Sequence, residues 1–522
     1  MEFQAPTIDY AGISPIIALT TGICVVLLVG LWRTPRFLLP FLTLATIAAT
    51  AGLCIWQWGN SADLVSGALR LDDLGLAAAL IALAAGAVTT ILAIREKAAM
   101  DAGQGAFGGL LLGSILGMVI ISQAQNLLSF FVGLELLSIP LYVMCASAIR
   151  RERSLESGLK YLVVGSVGSA TLLYGFALLY GATGTTEFNG IADALGSGGQ
   201  ADDTLVLVGT AMVAVGLAFK LSLAPFHQWT PDVYQGAPTP VTAFMAVATK
   251  AAAFVALARL FEVALGPVQG DWDAALAALA VISIAVGNVG ALGQDSVKRL
   301  LGYSGIAQAG YMLAGVVVFT QTGLEALVFY LAAYMLMNLA VFVPVLIRER
   351  ETDRGDDISA LNGVGRTRPW VAWPITIGIL ALAGMPGTSG FIGKLFLIEA
   401  TVEADYTWLG VAIVIGTMVS MAYYLRVLAA VWMRPAEEGA QLSMPAIAGA
   451  APQDSPVEGT AQGAGGASLA GGDQTEPRGA SRCLLVVGAG VVCAAATVAF
   501  GVWPDPLVDW ATNAAASLGL RP

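Results

Sequence analysis

Four ionisable residues lie in the middle of long apolar stretches, and they are the part of this sequence best suited to chemistry. They are Glu135 in LLSFFVGLELLSIPLY, Lys220 in GLAFKLSLAPF, Lys250 in VTAFMAVATKAAAFVAL and Lys394 in GFIGKLFLI. One charge at the centre of a lipid bilayer costs at least about 2.5–3.5 kcal/mol. A chain tolerates such groups when they face the protein interior, pair with each other or contact water. The sequence therefore predicts an ion or proton pathway built from buried amines and one carboxylate.

Lysine suits proton transfer because its charge depends strongly on its surroundings. An ammonium group that loses its hydration gives up a proton more readily, whereas a nearby carboxylate helps to retain it. A Glu135–Lys220 pair is therefore a candidate switch between loading and release. His227, the single histidine of the chain, could bridge between lysines because imidazole titrates near neutral pH. A hydrogen-bonded structural histidine is the alternative.

Other cations near the apolar stretches have a simpler interpretation. Lys160 follows Arg153 and Glu156 closely, so it either joins the pathway or extends its side chain to the cytoplasmic membrane surface. Arg259 and Arg426 lie near the ends of apolar stretches. For these two arginines we expect side chains that reach the membrane surface.

The composition shows what kind of element must hold these residues. Hydrophobic residues make up 57% of the chain and charged residues 12%, whereas soluble domains have about 25% charged residues. The chain is therefore an integral membrane protein. A net charge of −11 argues against nucleic acid as a partner, because proteins that bind it carry clustered Lys and Arg. Five scattered cysteines and one histidine are too few for an iron–sulfur or zinc site, so we expect no cofactor in this chain.

A spanning helix needs about 20 mostly apolar residues, and the chain contains about fourteen such stretches. They lie near 14–32, 37–57, 73–94, 107–122, 126–147, 158–180, 204–224, 240–265, 274–292, 300–319, 323–347, 370–403, 406–430 and 483–503. Positively charged residues fall in alternate loops, which predicts that both termini are on the non-cytoplasmic side. Residues 435–482 are rich in Gly, Ala, Ser, Gln and Pro, which is typical of a flexible linker.

Two of the predicted spans contain helix-breaking residues. Pro225 interrupts the seventh, and Pro386, Gly387 and Gly390 interrupt the twelfth, because proline removes a backbone hydrogen bond and glycine loosens the chain. The breaks are five helices apart and the two spans run in opposite directions. This arrangement is typical of inverted-topology repeats in transporters, where broken helices mark the ion site. Two unrelated proline kinks are the alternative.

We therefore predict an all-α polytopic membrane protein of about fourteen transmembrane helices with two inverted five-helix repeats. The predicted divisions are helices one to three, the first repeat, the second repeat, a cytoplasmic linker, and the last helix with its tail. These divisions cover residues 1–106, 107–265, 266–434, 435–482 and 483–522.

Four stretches resemble the antiporter-like membrane subunits of bacterial proton-pumping NADH-quinone oxidoreductase (respiratory complex I), and the subunit N group in particular. They are LLSFFVGLELLSIPLYV, FKLSLAPFHQWTPDVYQGAPTPVTAF, QDSVKRLLGYSGIAQAGYML and GMPGTSGFIGKLFLI. This family is shared with cation/proton antiporters. The run APFHQWTPDVYQGAPTPV is the most specific part of the resemblance, and the span layout extends the resemblance over nearly the whole chain.

The resemblance implies a role for each of the four buried residues. Glu135 would be the helix-five carboxylate, Lys220 the helix-seven lysine, Lys250 the connecting lysine of helix eight and Lys394 the terminal lysine of helix twelve. Gln308 is a departure, because the family often has a histidine in that stretch. Glutamine cannot titrate, although it can orient water.

The implied function is a module that exports protons across the bacterial inner membrane with redox energy released in partner subunits. FMN, iron–sulfur clusters and quinone are expected in those partners, which would include other antiporter-like subunits. One alternative is a subunit of a multisubunit cation/proton antiporter or membrane-bound hydrogenase, which an ion gradient would drive. Another is a spacer that couples its neighbours without conducting protons.

Overall fold

The protein is a bundle of membrane-length α-helices with one small β-hairpin. The structure, a computed structural model, describes residues 9–94, 96–196, 204–352, 354–435 and 480–519. Within these ranges twelve helices are long and apolar enough to cross a membrane, and two shorter apolar helices, Ser14–Gly30 and Pro369–Leu382, accompany them. Together they correspond to the fourteen predicted spans, so the predicted fold class is confirmed.

The first half of the chain contains ten helices. They are α1 (Ser14–Gly30), α2 (Leu38–Trp56), α3 (Asp73–Ala93), α4 (Lys97–Asp101), α5 (Gln104–Ser122), α6 (Leu127–Cys145), α7 (Glu152–Thr183), α8 (Phe188–Gly196), α9 (Thr204–Leu221) and α10 (Trp229–Gly236). Strands β1 (Ala62–Leu64) and β2 (Leu69–Leu71) pair antiparallel between α2 and α3.

The second half contains ten more. They are α11 (Thr239–Arg259), α12 (Gln269–Leu292), α13 (Val297–Val317), α14 (Gln321–Glu351), α15 (Val364–Thr367), α16 (Pro369–Leu382), α17 (Ser389–Glu403), α18 (Thr407–Trp432), α19 (Ala480–Val502) and α20 (Asp505–Ala516). A π-helical turn, Leu260–Ala264, continues α11, and short 3₁₀ turns cover Gly266–Val268 and Ile358–Leu361.

Both predicted helix breaks are present. The seventh span ends as α9 at Leu221 and resumes as α10 at Trp229, and the twelfth ends as α16 at Leu382 and resumes as α17 at Ser389. In the second break Gly384 and Gly387 have φ of +78° and +83°, a conformation that glycine adopts without the steric penalty of a Cβ atom. Each break leaves the last carbonyls of its first half-helix without helical partners.

Polar caps at helix starts show why several spans begin where they do. The side chains of Asp72, Asn126, Ser296 and Thr320 each accept a hydrogen bond from the backbone N–H three residues later. These caps satisfy backbone donors that the first helical turn leaves free. They also fix the starts of α3, α6, α13 and α14 in the chain.

Three helices form the centre of the bundle. Helices α11, α13 and α14 are almost completely buried, whereas in α2, α7, α18 and α19 no more than 33% of the residues in the most apolar window are buried. An exposed apolar face on a membrane helix suits contact with lipid or with another subunit. A charged side chain on α11 or α13 is therefore far better enclosed by this chain than one on α7.

Several elements were not predicted from the sequence. The hairpin and five helices are too short to form apolar stretches of membrane length, which are the signal used to predict spans. These helices are α4, α8, α10, α15 and α20. Of the predicted linker over 435–482, residues 436–479 lie outside the described part of the chain. The predicted domain boundaries remain predictions.

Candidate functional site

Three lysine side chains are enclosed in the membrane-spanning bundle. The exposed fractions of Lys220, Lys250 and Lys394 are 4%, 1% and 4%. They lie on α9, α11 and α17 respectively. None of the three faces the outside of the chain, so each ammonium group depends on protein acceptors close to it.

Lys220 lies in the last turn of α9, directly before the first helix break. Its Nζ donates to Ser138 Oγ at 2.8 Å and to Tyr161 Oη at 3.2 Å, and it lies 5.5 Å from the centroid of the Tyr161 ring. Hydrogen bonds and the ring face both favour a positive charge. This ammonium group is therefore stabilised by side chains of α6 and α7.

The predicted pairing of Glu135 with Lys220 takes a less direct form. Both residues are described, and they do not form a direct ion pair, because Lys220 Nζ bonds Ser138 instead. Ser138 follows Glu135 by three residues on α6, so the two lie on neighbouring turns of one face. Glu135 Oε1 is enclosed without a hydrogen-bond partner. A serine hydroxyl thus lies where the sequence suggested a carboxylate–ammonium contact.

Lys250 sits near the middle of α11, the most enclosed helix of the bundle. Its Nζ donates to Gly305 O on α13 at 2.5 Å and reaches Leu221 O at 3.5 Å. Leu221 is the last residue of α9, so this carbonyl is one that the first break releases. Helix C-termini carry partial negative charge, which favours an ammonium group at this position.

Lys394, on α17, binds a carbonyl that the second break releases. Its Nζ donates to Leu382 O at 2.8 Å and lies 5.3 Å from the centroid of the Tyr311 ring. Leu382 is the last residue of α16. Both broken helices therefore present the carbonyl of their last residue before the break to a buried lysine.

Gln308 lies between the two breaks on α13, one turn beyond Gly305. Its Nε2 donates to Leu382 O at 3.3 Å, the carbonyl that also binds Lys394, and to Tyr424 Oη at 3.4 Å. Tyr330 Oη donates to Gln308 Oε1. Gln308, which can orient water although it cannot titrate, is therefore part of a polar cluster beside Lys394.

His227 and Lys160 lie apart from the three enclosed lysines. His227 is half-buried in the first break, its Nδ1 is enclosed without a partner, and its ring centroid lies 6.4 Å from that of Tyr303. It bonds none of the lysines within the described residues, so the predicted bridge is absent. Lys160 is half-exposed and pairs with Glu156 at 2.7 Å and Asp232 at 3.1 Å. These contacts favour the alternative in which the Lys160 side chain extends to the membrane surface, where it pairs with Glu156 and Asp232.

Sequence reasoning was wrong about Arg259. Its guanidinium group is completely buried and binds Asp72 through two hydrogen bonds of 2.7 and 2.6 Å, and its Nε donates to Ser122 O at 3.0 Å. This bidentate pair joins α11 to the start of α3 and the end of α5. Asp72 lies far from Arg259 in sequence and its only local signal is a helix cap, so the pair could not be predicted. Arg426, by contrast, is partly exposed near Asp295, as expected.

The fold and these contacts define the class of protein. Two interrupted helices whose released carbonyls bind buried ionisable side chains are typical of membrane transport proteins built from inverted repeats. Among the described residues, no three His, Cys, Asp or Glu side chains come together to hold a metal ion.

The chain belongs to the family described as NADH:quinone oxidoreductase/Mrp antiporter, transmembrane region, which matches residues 124–420. Subunit N of the NADH-quinone oxidoreductase of Trichlorobacter lovleyi is 38% identical to it over 400 residues, 77% of this chain and 82% of the relative. Subunit N of Cutibacterium acnes is 34% identical and covers 98% of this chain and 95% of its own length. The resemblance expected from the sequence is confirmed, and the chain is a membrane subunit of this class of enzyme complex.

Solved structures agree with this conclusion. A chain of respiratory complex I from Thermus thermophilus with bound aureothin matches with a TM-score of 0.74 and 31% identity, covering 95% of this chain and 98% of that one. An archaeal membrane-bound sulfane sulfur reductase gives a TM-score of 0.81 at 22% identity, with 98% of each chain covered. The Mrp complex from a Dietzia species gives 0.75 at 23% identity, with 98% of this chain and 97% of that one covered. The last two matches show the shared fold alone.

Proposed function

We propose that this chain moves protons across the bacterial inner membrane, driven by electron transfer from NADH to quinone in partner subunits. The observation that carries the proposal is that three enclosed ammonium groups lie at or between two helix breaks, two of them on carbonyls that the breaks release. Enclosed ionisable groups in membrane spans are costly and usually functional. FMN, iron–sulfur clusters and quinone would be held by the partners.

The first step of the relay would run between Lys220 and Lys250. Leu221, whose carbonyl lies 3.5 Å from Lys250 Nζ, follows Lys220 directly in sequence. A change in the conformation of the break would therefore move both ammonium groups relative to one another. Glu135 would bias Lys220 through Ser138 or through a shift of α6, because a nearby carboxylate favours the protonated amine.

The second step would run from Lys250 to Lys394 along α13. Lys250 binds Gly305 O, and Gln308 one turn later shares Leu382 O with Lys394. Since Gln308 cannot titrate, the proton would cross on hydroxyl groups or water that the amide orients. The hydroxyls of Tyr330 and Tyr424 both contact Gln308 and are the nearest candidates.

Glu135 also indicates where a neighbouring subunit would bind. Leu128, Val132, Ile139 and Val143 form an exposed apolar stripe along α6, and Glu135 lies between them in sequence on the same helix. A carboxylate beside lipid tails is costly, so another membrane subunit would cover this stripe. The clustered cations of the alternate loops support a topology with both termini outside.

Two structural observations are compatible with the alternative of a cation/proton antiporter. The Mrp complex shares the fold, and nothing in the lysine geometry requires a redox source. Exporting each proton works against about 2.3 kcal/mol per 100 mV, however, and the curated relatives at 34–40% identity are subunits of NADH-quinone oxidoreductase. Redox coupling is therefore the better supported source of energy.

The proposal is tested in the assembled complex with Lys250→Ala. Proton uptake by inside-out vesicles and quinone reductase activity are measured together, with Thr249→Val as a matched control on the same helix. We expect pumping to fall much further than electron transfer in Lys250→Ala and to remain in Thr249→Val. Full pumping in an assembled Lys250→Ala complex would show that the chain is a spacer, and sodium-driven exchange without NADH would favour the antiporter.

A further inference from the structure

A second group of charged residues lies outside the site described above, where α11 and α13 begin and α14 ends. Lys298, at the start of α13, is 2% exposed, although it lies in the loop between the predicted spans 274–292 and 300–319. Its Nζ donates to Ala237 O at 2.8 Å and to Thr239 Oγ1 at 3.3 Å. This lysine is therefore enclosed and is not a surface charge.

The chain of hydrogen bonds continues from Lys298 to the surface. Thr239 Oγ1, which accepts from Lys298, donates in turn to Glu349 Oε2. Glu349 Oε1 lies 3.3 Å from Arg151 Nη1, and the Arg151 side chain is half-exposed. One carboxylate thus touches an accessible cation on one side and an enclosed hydroxyl on the other.

These residues lie at the end of the bundle that the loop cations predict to be cytoplasmic. Thr239 begins α11 and Lys298 lies at the beginning of α13, whereas Glu349 lies in the last turn of α14. These are the three most enclosed helices, and α11 and α13 also hold Lys250 and its acceptor Gly305. The hydrogen-bonded chain therefore starts at a surface and leads into the centre of the bundle.

The remaining distance to Lys250 is short on the scale of the membrane. Lys298 precedes Gly305 by seven residues, two turns or about 10 Å of helix on the same face of α13. The hydroxyl of Tyr334 and the amine of Lys250 both lie beside Gly305. A Cβ atom added to Gly305 would be 3.1 Å from Tyr334 Oη and 3.6 Å from Lys250 Nζ. A few water molecules would span this distance.

We propose that Glu349 and Lys298, joined by Thr239, form the cytoplasmic uptake site that loads Lys250 with protons. This inference rests on the proposed function. The ammonium of Lys298 gives a proton inward through water to neutral Lys250. The Glu349 carboxylate takes a proton from cytoplasmic water and becomes a carboxylic acid. This acid passes its proton to Thr239 Oγ1 as the Thr239 hydroxyl proton moves to the Lys298 amine. Lys298 is then again an ammonium, Glu349 is again a carboxylate, and Lys250 has gained one proton.

Glu349→Gln is the central variant, because an amide oxygen still accepts the hydrogen bond from Thr239 but cannot carry a proton. Glu351→Gln is the matched control, since Glu351 lies in the same helical turn and pairs with Arg348 and Arg368 outside this chain of bonds. Pumping is measured in inside-out vesicles of the assembled complex, with and without sodium formate, a small acid that can deliver protons to a blocked uptake site.

We expect Glu349→Gln to lose at least about tenfold in pumping, formate to restore a large part of it, and Glu351→Gln to pump normally. Lys298→Met should show the same loss. Normal pumping in Glu349→Gln, or a loss that formate does not restore, would overturn the inference. If Glu349→Gln pumps normally while Lys250→Ala abolishes pumping in the same assay, only the uptake site is excluded. If Lys250→Ala pumps fully, the proposed function itself fails.

Discussion

The two helix breaks use the same backbone feature but hold their lysines differently. At the first break Lys220 precedes the interruption and binds the hydroxyls of Ser138 and Tyr161, and the released carbonyl of Leu221 is left for Lys250. At the second break Lys394 follows the interruption and binds the released carbonyl of Leu382 directly. Two buried lysines therefore lie at the first break, Lys220 just before it and Lys250 at its released carbonyl, whereas one lysine, Lys394, lies at the second.

The surroundings of the two breaks differ as well. Both breaks have exposed residues, Pro225 and Gln228 at the first and Pro386 and Gly387 at the second. At the second break, however, Gly501 of α19 also packs against the backbone of Gly387 and Thr388. The position of each helix interruption therefore sets which carbonyls lose their helical partners, whereas neighbouring helices supply the group that binds them.

The largest effect should come from removing the lysine of either break. Lys220→Ala and Lys394→Ala each remove a proton-carrying group, and positioned proton carriers typically contribute about 100-fold or more to rate. We expect pumping by inside-out vesicles to be lost in both, with quinone reductase activity measured in parallel. Full pumping in one variant and none in the other would show that only one break lies on the pathway.

A smaller effect is expected from Gln308→Leu, which changes the second break alone. The variant loses the hydrogen bonds to Leu382, Tyr330 and Tyr424, worth about 0.5–1.5 kcal/mol each, so pumping should fall at least about tenfold. Gln308→His supplies a donor and a titratable ring and should pump better than the leucine variant. Equal pumping in Gln308→Leu and the unaltered complex would exclude Gln308 from the connection to Lys394.

Ser138→Ala tests the first break in the same way. It removes one side-chain acceptor of Lys220 and leaves Tyr161, so a loss of about 1 kcal/mol, or about fivefold in pumping, is expected. Ser166→Ala on α7 is the control, since its hydroxyl bonds only the Leu162 carbonyl one turn earlier. A fivefold loss in the control as well would mean that the effect is not specific to Lys220.

The smallest effect concerns the cover of the second break. A Cβ atom on Gly501 would overlap the backbone of Gly387 and Thr388, so Gly501→Ala should destabilise this region by about 1–3 kcal/mol and lower pumping slightly. Gly488→Ala on the same helix meets nothing within 4 Å and should leave the thermal stability of the complex unchanged. Equal melting temperatures for both variants would show that α19 does not support the break.

Much of the fold could be predicted because membrane spans have a strong local signal. A long apolar stretch such as the one around Lys250 predicts a helix, and Pro225 or Gly387 predicts its interruption without any knowledge of neighbours. The three enclosed lysines could be recognised for the same reason, since their cost follows from position alone. The burial of each lysine can be predicted from its own apolar stretch, without knowledge of the neighbouring helices.

The partners of these residues could not be predicted, because they come from distant segments. Nothing local indicates that Lys220 binds the hydroxyl of Ser138, or that Asp72 neutralises Arg259. Lys298 shows this limit most clearly. It lies in the loop between two predicted spans, where a charged side chain is usually exposed, whereas contacts with Ala237 and Thr239 enclose it. Pairing across helices is decided by tertiary packing, which a single sequence does not encode locally.

Infrared difference spectra test most directly whether the buried amines give up and regain protons. The assembled complex would carry lysine labelled with heavy nitrogen, and spectra would be compared between the resting and the NADH-energised states. We expect ammonium bands that shift with the label, change on energisation and lose intensity in Lys250→Met and Lys394→Met. Lysine bands that are identical in the two states would contradict a proton relay through these side chains.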